Sequence, residues 1–121
     1  MLYGDRVVFH DGDEGLYPGI ELYHVPGHTR GLQCVRVHTK RGWIVLASDV
    51  AHYYESITDG TPFLTHENML QMLDGFKRLR TLAPSDQHIV PGHDPLVLQR
   101  YPSPTPDLAG IVAQLDADPS E

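Results

Sequence analysis

"VPGHTRGLQCVRVHT", Val25 to Thr39, sets one histidine between Pro-Gly and Thr-Arg-Gly and then runs into an alternating segment. In that segment Gln33, Val35, Val37 and Thr39 fall on one face and Cys34, Arg36 and His38 on the other, the period of a half-buried strand. "IELYHV" before it and "WIVLAS" after it read as further strands, the latter apolar enough to be covered on both faces. "KRG" closes the last two into a hairpin that ends at Asp49. Pro26, Gly27 and Gly31 around His28 are more punctuation than a turn requires. Proline fixes φ and glycine admits unusual φ, so the set is suited to aiming one imidazole in a fixed direction.

Working outward, "RVVFH" (Arg6–His10) reads as a first strand and "DGDEGLYPG" as the turn after it. From Thr65 to Leu82 the period becomes helical, with Met69, Met72, Leu73, Phe76 and Leu79 on one stripe expected to face the core. Thr65 is the expected N-cap, and Pro84 stops the helix. "HIV" is a short strand leading into "PGHDP", so that "VPGH" occurs twice, at Val25–His28 and Val90–His93. A short helix is expected between Asp107 and Leu115. Residues 1–121 read as one domain, of which 102–121 form a Pro-rich, acidic tail.

The 121 residues carry a net charge of −7, with 40% apolar and 21% charged residues, which fits one small folded domain and gives no basic footprint for nucleic acid. No apolar run approaches the roughly 20 residues of a membrane span, and the first ten residues lack the order of a signal peptide. Cys34 is the single cysteine, which excludes an intrachain disulfide and suits a reducing cytoplasm.

Among eight histidines, placement selects His28 and His93, each in a Pro-Gly-His turn at a strand end. Asp49 ends an otherwise buried strand, where a carboxylate needs a partner. His28, Asp49 and His93 make a His2Asp donor set with the chemistry of a zinc site. His52, three residues after Asp49, is placed near the same cleft, in a substrate-facing or supporting role. His24 and His38 are expected to meet solvent or polar neighbours, His10 to serve a turn, and His66 and His88 to lie at the surface. Cys34 is expected to be inert and Trp43 to pack.

"VPGHTRG", "LASD" and "IVPGHD", in this order, resemble the later motifs of the metallo-β-lactamase superfamily. Within it, "SDVAHYYESI" and the helix after it resemble the N-acyl homoserine lactonase branch; the superfamily resemblance as a whole covers roughly residues 5 to 98. The resemblance implies an α/β fold: half of an αββα sandwich, mainly antiparallel sheet with helices on one face. It implies two zinc ions in a complete site, His28 on the first, His93 on the second and Asp49 bridging both. It further implies attack of metal-held hydroxide on a lactone, of the N-acyl homoserine lactone kind, or on a related ester. Asp49 would take up a proton, and Tyr53 or Tyr54 would assist at the carbonyl, since this branch tends to place a tyrosine where His52 stands.

The leading His-x-His-x-Asp-His motif of the superfamily, which supplies four ligands, has no match here, and the half carrying it is expected to precede Met1. The chain alone is therefore expected to hold at most one zinc ion, weakly, and to have little or no activity. It is also expected to leave an apolar sheet face for its missing half or for a second copy of itself. Two other readings stand beside this one. A thioester hydrolase resembling glyoxalase II would carry a basic helical domain where this tail is short and acidic. A truncated, non-catalytic module of the same fold would serve in assembly or binding.

Overall fold

A computed structural model describes residues 6–120. Its frame is one five-stranded sheet in the order β1 (Glu14–Tyr17), β2 (Ile20–His24), β3 (Gln33–Thr39), β4 (Gly42–Leu46) and β5 (Ile89–Val90). The first three pairings are antiparallel, and β5 joins β4 in parallel. Antiparallel neighbours can be joined by tight turns, here at Pro18-Gly19 and Lys40-Arg41, whereas β2 and β3 are joined by the longer loop 25–32. The parallel join needs a long crossover, which carries helices α1 (Tyr54–Thr58) and α2 (Met69–Leu82). Helix α3 (Leu96–Arg100) follows β5.

Strand alternation decides what each face buries. Cys34 and Val45 point under α2 and meet Met72, Phe76, Leu79 and Leu82 in the main core. Gly75 lets α2 come close, since a Cβ there would stand 3.0 Å from the Val25 side chain. On the opposite face Ile44 and Val90 are buried beneath Tyr101, with Val97, Ala113 and Leu115 alongside. That cover reaches only β4 and β5. Ile20, Leu22, Val35 and Val37, which the register places in line with Ile44 and Leu46, are only partly buried.

Residues 102–120 form no long helix. They fold back through Arg41, which reaches the Leu115 carbonyl at 3.2 Å and the Asp118 carboxylate at 2.9 Å. Of the helix expected between Asp107 and Leu115, only a single 3-10 turn over Pro106–Leu108 forms.

Several boundaries differ from the sequence expectation. "RVVFH" is not a strand: β1 is the sheet edge and residues 7–10 pair with no other strand, leaving Phe9 93% exposed. "DGDEGLYPG" is not only a turn, because it contains β1. Asp13 in it accepts from the His24 backbone N–H at 2.9 Å and pairs with Arg78. Helix α2 begins at Met69, capped by Asn68, whose side chain accepts from Gln71 N at 3.1 Å. Thr65 is not the cap, because Glu67 and Asn68 donate their N–H groups to the Gly27 carbonyl (2.9 and 3.0 Å). Met69, in the first turn of α2, is consequently exposed rather than in the core.

Candidate metal centre

The site lies where β4 and β5 end side by side. Leu46 and Val90 are register partners, and Asp49 and His93 each stand three residues beyond them. Parallel pairing therefore brings the two abreast. His93 Nε2 donates to Asp49 Oδ1 at 2.6 Å. The loops touch at backbone level: a Cβ on Gly92 would lie 2.5 Å from the Ser48 carbonyl oxygen. Gly92 N donates to Ala51 O and His93 N to His52 O, each at 3.0 Å. Ser48 holds a left-handed φ of 51°, alone among described non-glycine residues, and this turns Asp49 out of the strand direction.

His28 arrives from the β2–β3 connection. Gly27 has φ 148°, and a Cβ there would meet Met72 N at 2.5 Å, so its peptide rests directly on the start of α2. His28 Nδ1 donates to the Thr65 carbonyl at 2.5 Å. That bond puts a proton on Nδ1 and points Nε2 toward Asp49 Oδ2, 3.8 Å away. Gly31 plays no such part. Its φ is not left-handed and a Cβ would meet nothing within 4 Å, so two punctuating residues, not three, fix His28.

His52 completes the cluster. Its Nε2 stands 3.7 Å from Asp49 Oδ1, its ring stacks on Phe63 at 3.6 Å, and its edge meets the rings of His93 (4.6 Å) and His28 (5.4 Å). Three imidazoles thus present Nε2 to one carboxylate. Burial holds the His52 pKa below its ordinary value; His93 and His28 push the same way, against Asp49. Asp49, His52 and His93 each offer a donor atom, all within 4.8 Å of one another.

In sequence, the chain resembles enzymes of one kind. Over 86 residues, 69% of this chain, it is 35% identical to an N-acyl homoserine lactonase of Bacillus sp, and 34% identical to one of Bacillus cereus. The crystal structure of a quorum-quenching N-acyl homoserine lactone hydrolase superposes on 70% of the chain at 29% identity, with a TM-score of 0.61. The chain belongs to the metallo-β-lactamase superfamily, on its lactonase-like branch. This lactonase-like chain spans about one third of the length of the curated relatives it matches (34%) and 36% of that solved structure. AidC, a dizinc quorum-quenching lactonase, shares the fold at 20% identity and a TM-score of 0.57, over 73% of this chain and 31% of its own. No family profile matches the chain.

The remaining expectations sort by burial. Tyr53 is 44% exposed beside His52, whereas Tyr54 is half-buried with its hydroxyl enclosed and Arg100 over its ring at 4.1 Å. Burial pushes the Tyr54 phenol up to about 12, and Tyr101 adds to the shift. Cys34 is fully buried, and burial pushes its thiol up to about 11. His24 donates to the Arg30 carbonyl (2.7 Å) and His38 meets the Trp43 ring edge-on (5.0 Å). His10 pairs with Glu14 at 2.6 Å. His66 lies before α2 rather than in its first turn, and donates to the Phe63 carbonyl at 2.8 Å. His88 sits between Ser85 and the Arg41 carbonyl. Phe63 and the Thr65 carbonyl were not legible as site groups, because the segment 59–68 has no periodicity to read.

Proposed function

We propose that this chain contributes the edge of a lactonase-type metal site, with His28, Asp49 and His93 as ligands, that opens lactones of the N-acyl homoserine type or related esters. The observation carrying this reading is three imidazole Nε2 atoms converging on both oxygens of one carboxylate. The donors fit zinc in kind, and the buried, unpartnered Nε2 of His52 leaves a polar direction that the protein itself does not fill. A divalent ion held there supplies Lewis acidity and a water acidic enough to react near neutrality.

The chain's own groups divide the remaining work. Asp49 orients the histidines, and would accept a proton from the attacking water and return it to the alkoxide released as the ring opens. Thr65 fixes the His28 tautomer, and Phe63 shields the site from water on one side. Tyr53 is the tyrosine free to donate to a substrate carbonyl, because Tyr54 is turned into the protein.

The 121 residues contain no His-x-His-x-Asp-His segment, so this stretch holds part of a dinuclear ligand set and has little activity alone. Its natural complement covers the partly buried row of Ile20, Leu22, Val35 and Val37. The test is opening of N-hexanoyl homoserine lactone with zinc, by the chain alone and with a supplied polypeptide bearing the four-ligand motif. Activity only in the mixture, lost in Asp49→Asn, is expected. No hydrolysis by the mixture, or undiminished hydrolysis with Asp49→Asn, overturns the reading.

A further inference from the structure

We propose that His52 is itself a metal ligand: its Nε2, with His93 Nε2 and Asp49 Oδ1, forms a three-donor site for one zinc-like divalent ion that this chain holds without further protein ligands. The inference rests on the metal-centre reading above and extends it to a residue whose place that reading leaves open.

The two oxygens of Asp49 face different groups. Oδ2 looks toward His28 alone, at 3.8 Å. Oδ1 looks toward His93 at 2.6 Å and His52 at 3.7 Å. The Oδ1 side is thus the richer, and Asp49, His52 and His93 each offer a donor atom within 4.8 Å of the others. Donors around a tetrahedral zinc, each at 2.0–2.1 Å, stand about 3.3 Å apart. The two pairs that share Asp49 Oδ1 fall on either side of that spacing, His52 at 3.7 Å and His93 at 2.6 Å, and the His52–His93 pair lies within 4.8 Å. The short pair is the one that changes when an ion enters: the proton on His93 Nε2 leaves to solvent and the ion takes its place.

His52 is otherwise hard to account for. Its Nε2 is shut off from solvent and has no hydrogen-bond partner, a state that buried polar atoms rarely keep. A role as a packed ring would not require a nitrogen at that point. The ring is also held: Phe63 stacks on it at an interplanar angle of 12°, and the His52 carbonyl accepts from His93 N at 3.0 Å. Both constraints fix the direction of Nε2 before any ion arrives, as a ligand site requires. Two imidazoles and one carboxylate leave a fourth position open, the pattern of catalytic rather than structural zinc.

The test is titration of the 121-residue chain with Co2+ and then Zn2+. Cobalt d–d absorption reports coordination, and long-range 1H–15N spectra report each imidazole nitrogen. One ion per chain is expected, with the Nε2 resonances of His52 and His93 moving on binding. His52→Ala should weaken affinity by about 100-fold and His28→Ala by less than about 10-fold. An unmoved His52 Nε2 in the wild-type chain, or His52→Ala binding within about 2-fold of wild type, overturns the proposal. If binding then still requires Asp49 and His93, the metal-centre reading stands and only this inference falls. Failure of the wild-type chain to bind either ion overturns the inference, and leaves the broader reading to the reconstitution assay.

Discussion

Replacing Gly92 with alanine should strike the site through the backbone. The new Cβ would lie 2.5 Å from the Ser48 carbonyl oxygen and 2.8 Å from its carbon. Ordinary contact requires the two loops to part by about 0.9 Å. The backbone bonds Gly92 N to Ala51 O and His93 N to His52 O, both 3.0 Å, would stretch by a similar amount and be largely lost. At mid-range, two such bonds at about 1 kcal/mol each, less about 0.7 kcal/mol from the stiffer unfolded chain, leave a net destabilisation of about 1.3 kcal/mol. Urea unfolding followed by Trp43 fluorescence measures it, as a midpoint about 0.5–1 M lower at an m-value near 2 kcal/mol/M. The Asp49–His93 pair spans the same seam, so cobalt affinity should fall in the same variant. Gly31→Ala is the control, since nothing lies within 4 Å of its Cβ; it should be neutral or slightly stabilising. Equal midpoints for Gly92→Ala and Gly31→Ala would refute the reasoning.

Three further outcomes follow from the same geometry. The Cys34 thiol, raised to about 11 by burial, makes stability fully present below the ordinary thiol pKa of about 8.5–9 and lost as pH rises toward 11. The loss is on the order of 2–3 kcal/mol, and Cys34→Ser should flatten that alkaline limb in urea titrations at pH 8 to 11. In a reconstituted active site Tyr53→Phe should lower kcat by about 10–100-fold with little change in unfolding midpoint. Tyr54→Phe should do neither, which comparison of kinetics and melting for the pair will check. Asn68→Ala removes the α2 cap and should cost about 1 kcal/mol, read as a lower urea midpoint.

What the sequence could tell depended on whether the governing contact was local. The β3 alternation predicts which side chains go under α2, because period 2 is a property of the strand itself, and Cys34 lies there. The two "VPGH" segments look alike and both aim a histidine, but their glycines answer to different neighbours: Gly27 to the α2 backbone and Gly92 to Ser48. No local rule identifies those partners. The start of α2 was misplaced because Gly27, 40 residues earlier in the chain than Glu67, takes the N–H groups that would otherwise enter a helix. "RVVFH" alternates as a strand should, yet alternation supplies no neighbour to pair with. His52 was visible through its spacing from Asp49, whereas the ring that clamps it, Phe63, was not.

Strand β5 is two residues long, and with the Gly92–Ala51 and His93–His52 backbone bonds it seats the turn that delivers His93. Any ion shared by Asp49 and His93 would cross-link positions 44 residues apart, much as a rivet closes a strap. Ion binding and the pairing of Ile89 and Val90 with β4 are therefore coupled: each holds the other in place. Loading the site should in turn slow deuterium uptake at those two amides more than anywhere else in the sheet.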